Sequence, residues 1–245
     1  MSVAEPMSRY SVIENKNPRE ILLLRGRGCG WRRCTFCDYH LDFGLDEVAN
    51  YQINATELKK VTGKYKKLEV INSGSFPELD EKTISLIRQI CCDKQITELH
   101  VEFHWMYREQ IAGFRAYFAE EDIVLKVKLG VESFDYSFRE NVLKKGIDTH
   151  DPEVIAKYAN EVCLLFGLSG QTTESMKTDI ETGLRYFERV CINIMVENST
   201  KIKPDTEVIH AFRQELYDTY INDARVDILM ENTEFGVGDS YIAEE

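Results

Sequence analysis

Cys29, Cys34 and Cys37 stand in the spacing C-x4-C-x2-C. Three thiolates on one short loop can wrap one face of an inorganic centre, and soft sulfur ligands select zinc or iron–sulfur cores. Gly26, Gly28 and Gly30 lie in the same stretch, and glycine lets the backbone approach such a core closely. Iron–sulfur clusters are usually held by four cysteine thiolates. Three ligands with no obvious fourth suggest a 4Fe–4S cluster whose last iron is open to a substrate or cofactor. Zinc is the rival: with His40 the set becomes C-x4-C-x2-C-x2-H, a closed structural Cys3His site. Spacing alone leaves both open.

A second group of ionisable residues alternates along one run. Glu98, His100, Glu102 and His104 would all point to one face of a strand. Four such groups cannot face an apolar core cheaply. That face lines a polar cavity, or the strand is an edge; the cavity is the favoured reading.

These residues need a scaffold, and apolar runs supply one. The predicted strands are Ile21–Leu24, Leu68–Ile71, Thr97–Phe103, Val124–Val131, Val162–Leu168, Cys191–Val196 and Val226–Met230. Helical patterns fall between them at about Ala55–Tyr65, Glu78–Cys92, Tyr107–Ala119, Tyr136–Lys145, Glu174–Arg189 and Thr206–Tyr220. Alternation of this kind means βα units and a parallel sheet. Six units plus one extra C-terminal strand predict an α/β fold, a partial (β/α)6 barrel, in a single domain over residues 1–245. Active sites of parallel barrels sit at the C-terminal strand ends, where the polar motifs fall.

Composition narrows the function. The net charge is −12 and the pI about 5.0, whereas binding a nucleic-acid backbone needs a basic patch that releases counterions. A nucleic-acid partner is therefore disfavoured and a small molecule favoured. Neither a signal peptide nor a membrane span is visible, which leads us to expect a cytoplasmic protein; a homodimer is compatible with all of this. Cys91, Cys92, Cys163 and Cys191 read as buried reduced thiols, since an odd cysteine count without a secretory signal argues against a disulfide framework.

The cysteine loop, with Phe36 just before its last cysteine, resembles that of the radical S-adenosylmethionine (SAM) enzymes. It has one residue more than the family's commonest C-x3-C-x2-C spacing. Later segments strengthen the resemblance in the expected order. Asn72-Ser73-Gly74-Ser75-Phe76 resembles the segment that binds the methionine amino group of SAM. Leu129-Gly-Val-Glu132-Ser133, followed by Arg139 and Lys144-Lys145-Gly146, resembles a run found near the elongator and methylthiotransferase branches. Phe166-Gly-Leu168-Ser-Gly-Gln-Thr172 resembles the adenine-side turn, with Ser169 in place of a frequent proline.

The resemblance implies a 4Fe–4S cluster on Cys29, Cys34 and Cys37, and SAM contacts from Phe36, Ser73, Gly74, Ser75, Glu102, Glu132, Ser133, Arg139 and Leu168. Glu102 or Glu132 would lie near the ribose, and Ser133 and Arg139 would hold the carboxylate. It also implies a flavodoxin- or ferredoxin-type electron donor. Overall likeness to the small, single-cluster members implies a lyase acting on a free deazapurine base. The rival is an RNA-modifying enzyme of the elongator or archaeosine-synthase type. His104, Glu197, Asp227 and Glu231 are the candidate substrate contacts; for His104 a structural, hydrogen-bonded role competes.

Overall fold

The seven apolar runs become seven parallel strands, and an eighth strand precedes them. The computed structural model describes residues 7–38, 41–231 and 233–238. Its strands are β1 Tyr10–Ile13, β2 Arg19–Leu24, β3 Lys67–Asn72, β4 Glu98–Phe103, β5 Val124–Glu132, β6 Glu161–Phe166, β7 Arg189–Ile194 and β8 Val226–Leu229. They pair in chain order in one sheet. Only β1 runs antiparallel, against β2. The helices are α1 Glu47–Leu58, α2 Glu81–Asp93, α3 Ile111–Ala119, α4 Pro152–Ala156, α5 Thr173–Tyr186, α6 Thr206–Glu215 and α7 Tyr217–Tyr220. The sheet curls into the expected partial barrel of six βα units with β8 as the extra C-terminal strand.

Alternation divides each strand between two environments. Leu22, Val70, Val101, Val127, Leu164, Ile192 and Ile228 pack beneath the helices in the main apolar core. The opposite face turns into the barrel, and its lower half is ionic. Arg19 and Lys128 both bind the Glu69 carboxylate. His100 sits between Glu98 and Glu161, at 2.8 and 2.9 Å. Arg189 pairs with Asp227 at 2.8 Å, and Arg19 approaches the same carboxylate at 3.8 Å. Burial pushes the Glu69 carboxyl up, but the Lys128 and Arg19 charges outweigh it and hold it well below the ordinary range. Burial opposes the charge on Lys128, and Glu69 more than restores it.

The open side between β1 and β8 is bridged by the C-terminal segment. Gly238 N–H donates to Ser8 O at 2.8 Å, the Arg19 guanidinium lies 5.1 Å from the Phe235 ring centre, and Lys16 Nζ donates to Val226 O.

Three expectations need correction. The first helix runs Glu47–Leu58, not Ala55–Tyr65. Its inner face carries the buried amides Asn50 and Asn54, so it lacks the apolar period by which a helix is read. Residues 136–145 form one short wide turn at Phe138–Val142 followed by irregular chain in which Lys144 has a φ of +57°. Cys92 is exposed rather than buried. None of the seven cysteines forms a disulfide, and no helix among the described residues is long and apolar enough to cross a membrane.

Candidate active site

The cysteine loop follows β2 and is clasped at four strand ends. After β3, the Glu78 carboxylate accepts from Gly30 N–H, from Tyr107 Oη at 2.8 Å and from Ser75 N–H at 2.6 Å. After β4, the His104 ring stacks on Trp31 with centroids 5.2 Å apart. After β5, Thr35 N–H donates to Leu143 O at 3.1 Å, Thr35 Oγ1 to Val142 O at 2.7 Å and Trp31 Nε1 to Lys144 O at 2.8 Å. After β7, Asn198 Nδ2 donates to Phe36 O at 2.7 Å, and Asp38 accepts from Ser199 N–H at 2.9 Å. The loop is thus set by the barrel mouth.

Gly74 shows how closely the second segment approaches it. A Cβ there would lie 2.3 Å from Glu78 Oε2 and 3.1 Å from the Cys29 amide nitrogen, so any larger residue would have to push the Glu78 carboxylate from its place. Ser73, Gly74 and Ser75 therefore line the cysteine loop. Ser73 Oγ reaches Asp42 at 3.4 Å, and Ser75 Oγ accepts from His104 N–H at 2.9 Å. On the other side Phe36 and Leu168 meet in a small apolar cluster with Leu143, Leu165 and Met195, against which Cys34 and Cys37 pack. A cleft of about 520 Å³ opens beside Leu168, between Val142, Ile202 and Pro204.

Arg139 does not point to the mouth. It is fully buried, and its guanidinium donates to Glu140 at 3.0 Å, Ser133 O at 3.2 Å, Ile147 O at 3.5 Å and Thr149 O. Ser133 Oγ likewise donates to Asp179 at 2.8 Å. Both residues are engaged in the turn after β5. The cation that faces the loop is Lys145, which pairs with Glu132 at 2.7 Å. Burial opposes its charge, and Glu132, Cys34 and Cys37 favour it more strongly. A register shift at Gly130/Glu132 and a φ of +67° at Glu132 turn that carboxylate inward.

Farther in, Glu102 stands between two ion pairs. It alternates with Val101 and Phe103 of the outer core and is the register partner of Lys128. Burial raises its carboxyl to about 7; Lys128 and Lys145 pull it down, and Glu69 and Glu132 push it up. It is the interior carboxyl of β4 that belongs to no salt bridge among the described residues. Cys163 and Cys191 are register partners on the same interior surface, and their mutual hydrogen bond, with burial, pushes the Cys163 thiol up.

The remaining candidates fall elsewhere. His104 Nε2 donates to Lys145 O at 3.0 Å and Nδ1 accepts from Met106 N–H at 3.2 Å. Both ring nitrogens are occupied, and burial with the Lys145 charge lowers its pKa to about 3. It is a neutral structural pin. Glu197 is exposed and pairs with Lys203 at 2.5 Å. Glu231 is exposed just beyond β8. Asp227 faces the interior but is held by Arg189 and Arg19. His40 lies outside the described residues.

The donor set fits an iron–sulfur cluster. Three partly buried thiols share one loop, and Cys34 senses Cys29 and Lys145 electrostatically.

No family model matches the chain, and no curated protein sequence matches it. Among solved structures, queuine lyase from Clostridium spiroforme bound to SAM and queuine superposes with a TM-score of 0.91 at 44% identity, covering 96% of this chain and 100% of that one. The chain belongs to the queuine lyase family. It is thereby a radical SAM enzyme. SuiB from Streptococcus suis, bound to its precursor peptide SuiA, has a TM-score of 0.54 at 11% identity, covering 85% of this chain and 48% of that one; it supports the fold alone.

In this queuine lyase family member, sequence reasoning missed Glu78 and Lys145 as parts of the site. Glu78 had a signal: Ser75-Phe-Pro-Glu78 is a capping box, and it closes the turn that faces the cysteines. Lys145 had none, because choosing between it and Arg139 requires the path of the turn after β5.

Proposed function

We propose that this chain cleaves free queuine by radical SAM chemistry, breaking a carbon–nitrogen bond and releasing the aminomethyl-deazaguanine base. The observation that carries this reading is the end-to-end likeness to a queuine lyase, with the cysteine loop at the barrel mouth. Cys29, Cys34 and Cys37 would hold the 4Fe–4S cluster on one domain that contains the whole site. When bound, the cluster supplies the electron that cleaves SAM and so opens the family's 5′-deoxyadenosyl radical chemistry.

The protein's own groups then bind, orient and exclude water. Ser73, Gly74 and Ser75 would meet the methionine end of SAM. Lys145, held by Glu132, takes the role of cation that Arg139 leaves vacant. Phe36, Leu168 and the neighbouring cleft would shelter the adenine. Glu102 is the carboxyl best placed for the deazaguanine, because a guanine-like edge presents two adjacent donors and one carboxylate can accept both. Exposed Glu197 and Glu231 are poorer readers of a base inside the barrel. An acidic redox protein would serve as electron donor, as in the family.

The test is anaerobic incubation of the reconstituted protein with dithionite and SAM, giving it free queuine in one reaction and queuosine-containing tRNA in another. Release of the aminomethyl base with equimolar 5′-deoxyadenosine from free queuine is the expected result. Turnover of the tRNA alone would move the assignment to an RNA-modifying enzyme.

A further inference from the structure

The cysteine loop is strongly basic in an acidic chain. Arg25, Arg27, Arg32 and Arg33 all fall between residues 25 and 33, although the net charge is −12. Arg27, Arg32, Arg33 and, from the turn after β5, Lys144 are exposed. They form one face. Arg32 donates to Arg27 O at 3.4 Å and to Cys29 O at 2.7 Å. The Arg33 guanidinium lies 4.9 Å from the Trp31 ring centre, and Trp31 donates to Lys144 O at 2.8 Å. Met106, 43% exposed, adjoins Gly30.

Some exposed cations elsewhere have carboxylate partners, as Lys60 has in Glu57 and Lys203 in Glu197, and others, among them Lys59, Lys82, Lys157 and Arg213, form no ion pair among the described residues. Among the described residues, Arg27, Arg32, Arg33 and Lys144 make no such pair. Glu109 and Asp148 are engaged by Arg108. An apolar centre of Trp31 and Met106 with a cationic rim has the anatomy of a protein interface. It lies directly over the partly buried cysteines.

An acidic chain repels an acidic partner from most directions, and four cations without ion pairs gathered on one face would orient the encounter. We propose that this face docks an acidic flavodoxin-type carrier, which brings the flavin edge over the cysteine loop. The exposed apolar edge of a flavin, ringed by carboxylates, matches the Trp31–Met106 centre and its rim. The carrier passes one electron to the oxidised cluster, going from hydroquinone to semiquinone. The inference rests on the cluster reading of Cys29, Cys34 and Cys37, and not on queuine as substrate.

The experiment compares the reconstituted full chain with an Arg33→Glu/Lys144→Glu variant, without queuine, following 5′-deoxyadenosine. Reduction comes either from dithionite, which needs no docking, or from flavodoxin with its reductase and NADPH. With flavodoxin the variant should be slower by about tenfold or more, with its salt dependence flattened. With dithionite the two should agree within about twofold, as surface charges contribute little to the fold. Calorimetry of flavodoxin binding to the cluster-loaded protein should show a matching loss, and Lys177→Glu on α5 should change neither reading. Equal slowing with both reductants, unchanged flavodoxin kinetics, charge sensitivity towards a ferredoxin alone, or tRNA binding lost in the variant would each overturn the proposal. Intact flavodoxin-driven SAM cleavage with no cleavage of queuine would support the docking site while rejecting the substrate.

Discussion

The floor and the mouth of the barrel are built from the same kinds of residue and behave in opposite ways. On the floor, Arg19, Lys128, Glu69, His100, Glu98 and Glu161 all have opposite partners. Toward the mouth Lys145 keeps a partner in Glu132, but Glu102 has none of that kind, and Arg27, Arg32 and Arg33 of the cysteine loop face solvent. β4 runs through both regions. Its alternating polar residues are floor at Glu98 and His100, a carboxyl outside any salt bridge at Glu102 and a pin at His104. Polarity on a barrel strand therefore marks a wet or ionic interior, and only the partners decide which group is open to a ligand.

The largest expected effect lies at the mouth. Cys34→Ala should abolish reconstituted iron, visible absorbance and SAM cleavage together, while thermal unfolding of the cluster-free protein is little changed. Retention of about four irons per chain would remove Cys34 from the ligand set.

The floor should show the reverse. Lys128→Met leaves the buried Glu69 short of a partner, and breaking a buried pair costs about 3–5 kcal/mol. In a chain of this size the Tm should fall by roughly 10 °C, as read by calorimetry. A Tm within about 2 °C of wild type would mean that the floor is not the structural half.

Glu102→Gln should separate the two regions most cleanly. On the proposed reading of Glu102, losing its carboxylate leaves donors of the base unpaired, about 1–3 kcal/mol. That is roughly 5- to 150-fold in kcat/KM for queuine, with Tm unchanged or raised because the cost of burying a charge is removed. A stability loss with normal kcat/KM would return Glu102 to the floor.

The smallest effect is in pH dependence. In the protein without substrate, Glu102 is protonated below about 7, in the field of Lys128 and Glu132 on β5, Glu69 on β3 and Lys145 beyond β5. A base that needs the carboxylate should bind better as pH rises through 7, and Glu102→Gln should flatten that profile. Stability runs differently. The hydrogen bond from His100 brings Glu98 down to about 2, and Lys128 and Arg19 outweigh burial to hold Glu69 low. Their contribution is present above the ordinary carboxylate range and is lost as pH falls through the folded values, so Tm should drop on acidification below about pH 4.5.

Strand positions were legible because each parallel strand carries apolar residues at every second position, as in Leu68, Val70 on β3 and Leu99, Val101, Phe103 on β4. β1 was not, since Tyr10-Ser-Val-Ile is a four-residue edge strand, half-buried throughout. α1 was misplaced because Asn54 faces inward to bind Arg25 N–H and O, although its Asp46 cap was there to be read. At the site, residue types identified the cysteine loop and the carboxylates. They could not show that Arg139 folds back into its own turn, because that depends on backbone carbonyls at Ser133, Ile147 and Thr149 that carry no sequence signature.

The bridge from Gly238 to Ser8 has a consequence for assembly of the chain. Ser8 and Gly238 are far apart in sequence, and no contact between neighbouring strands can substitute for theirs. Loop-closure entropy grows only slowly with length, so the seam costs little more than a shorter closure but cannot form before the last strand is in place. Folding should therefore finish at this seam, and native-state hydrogen exchange should find the Gly238 amide opening well before those of β4 and β5.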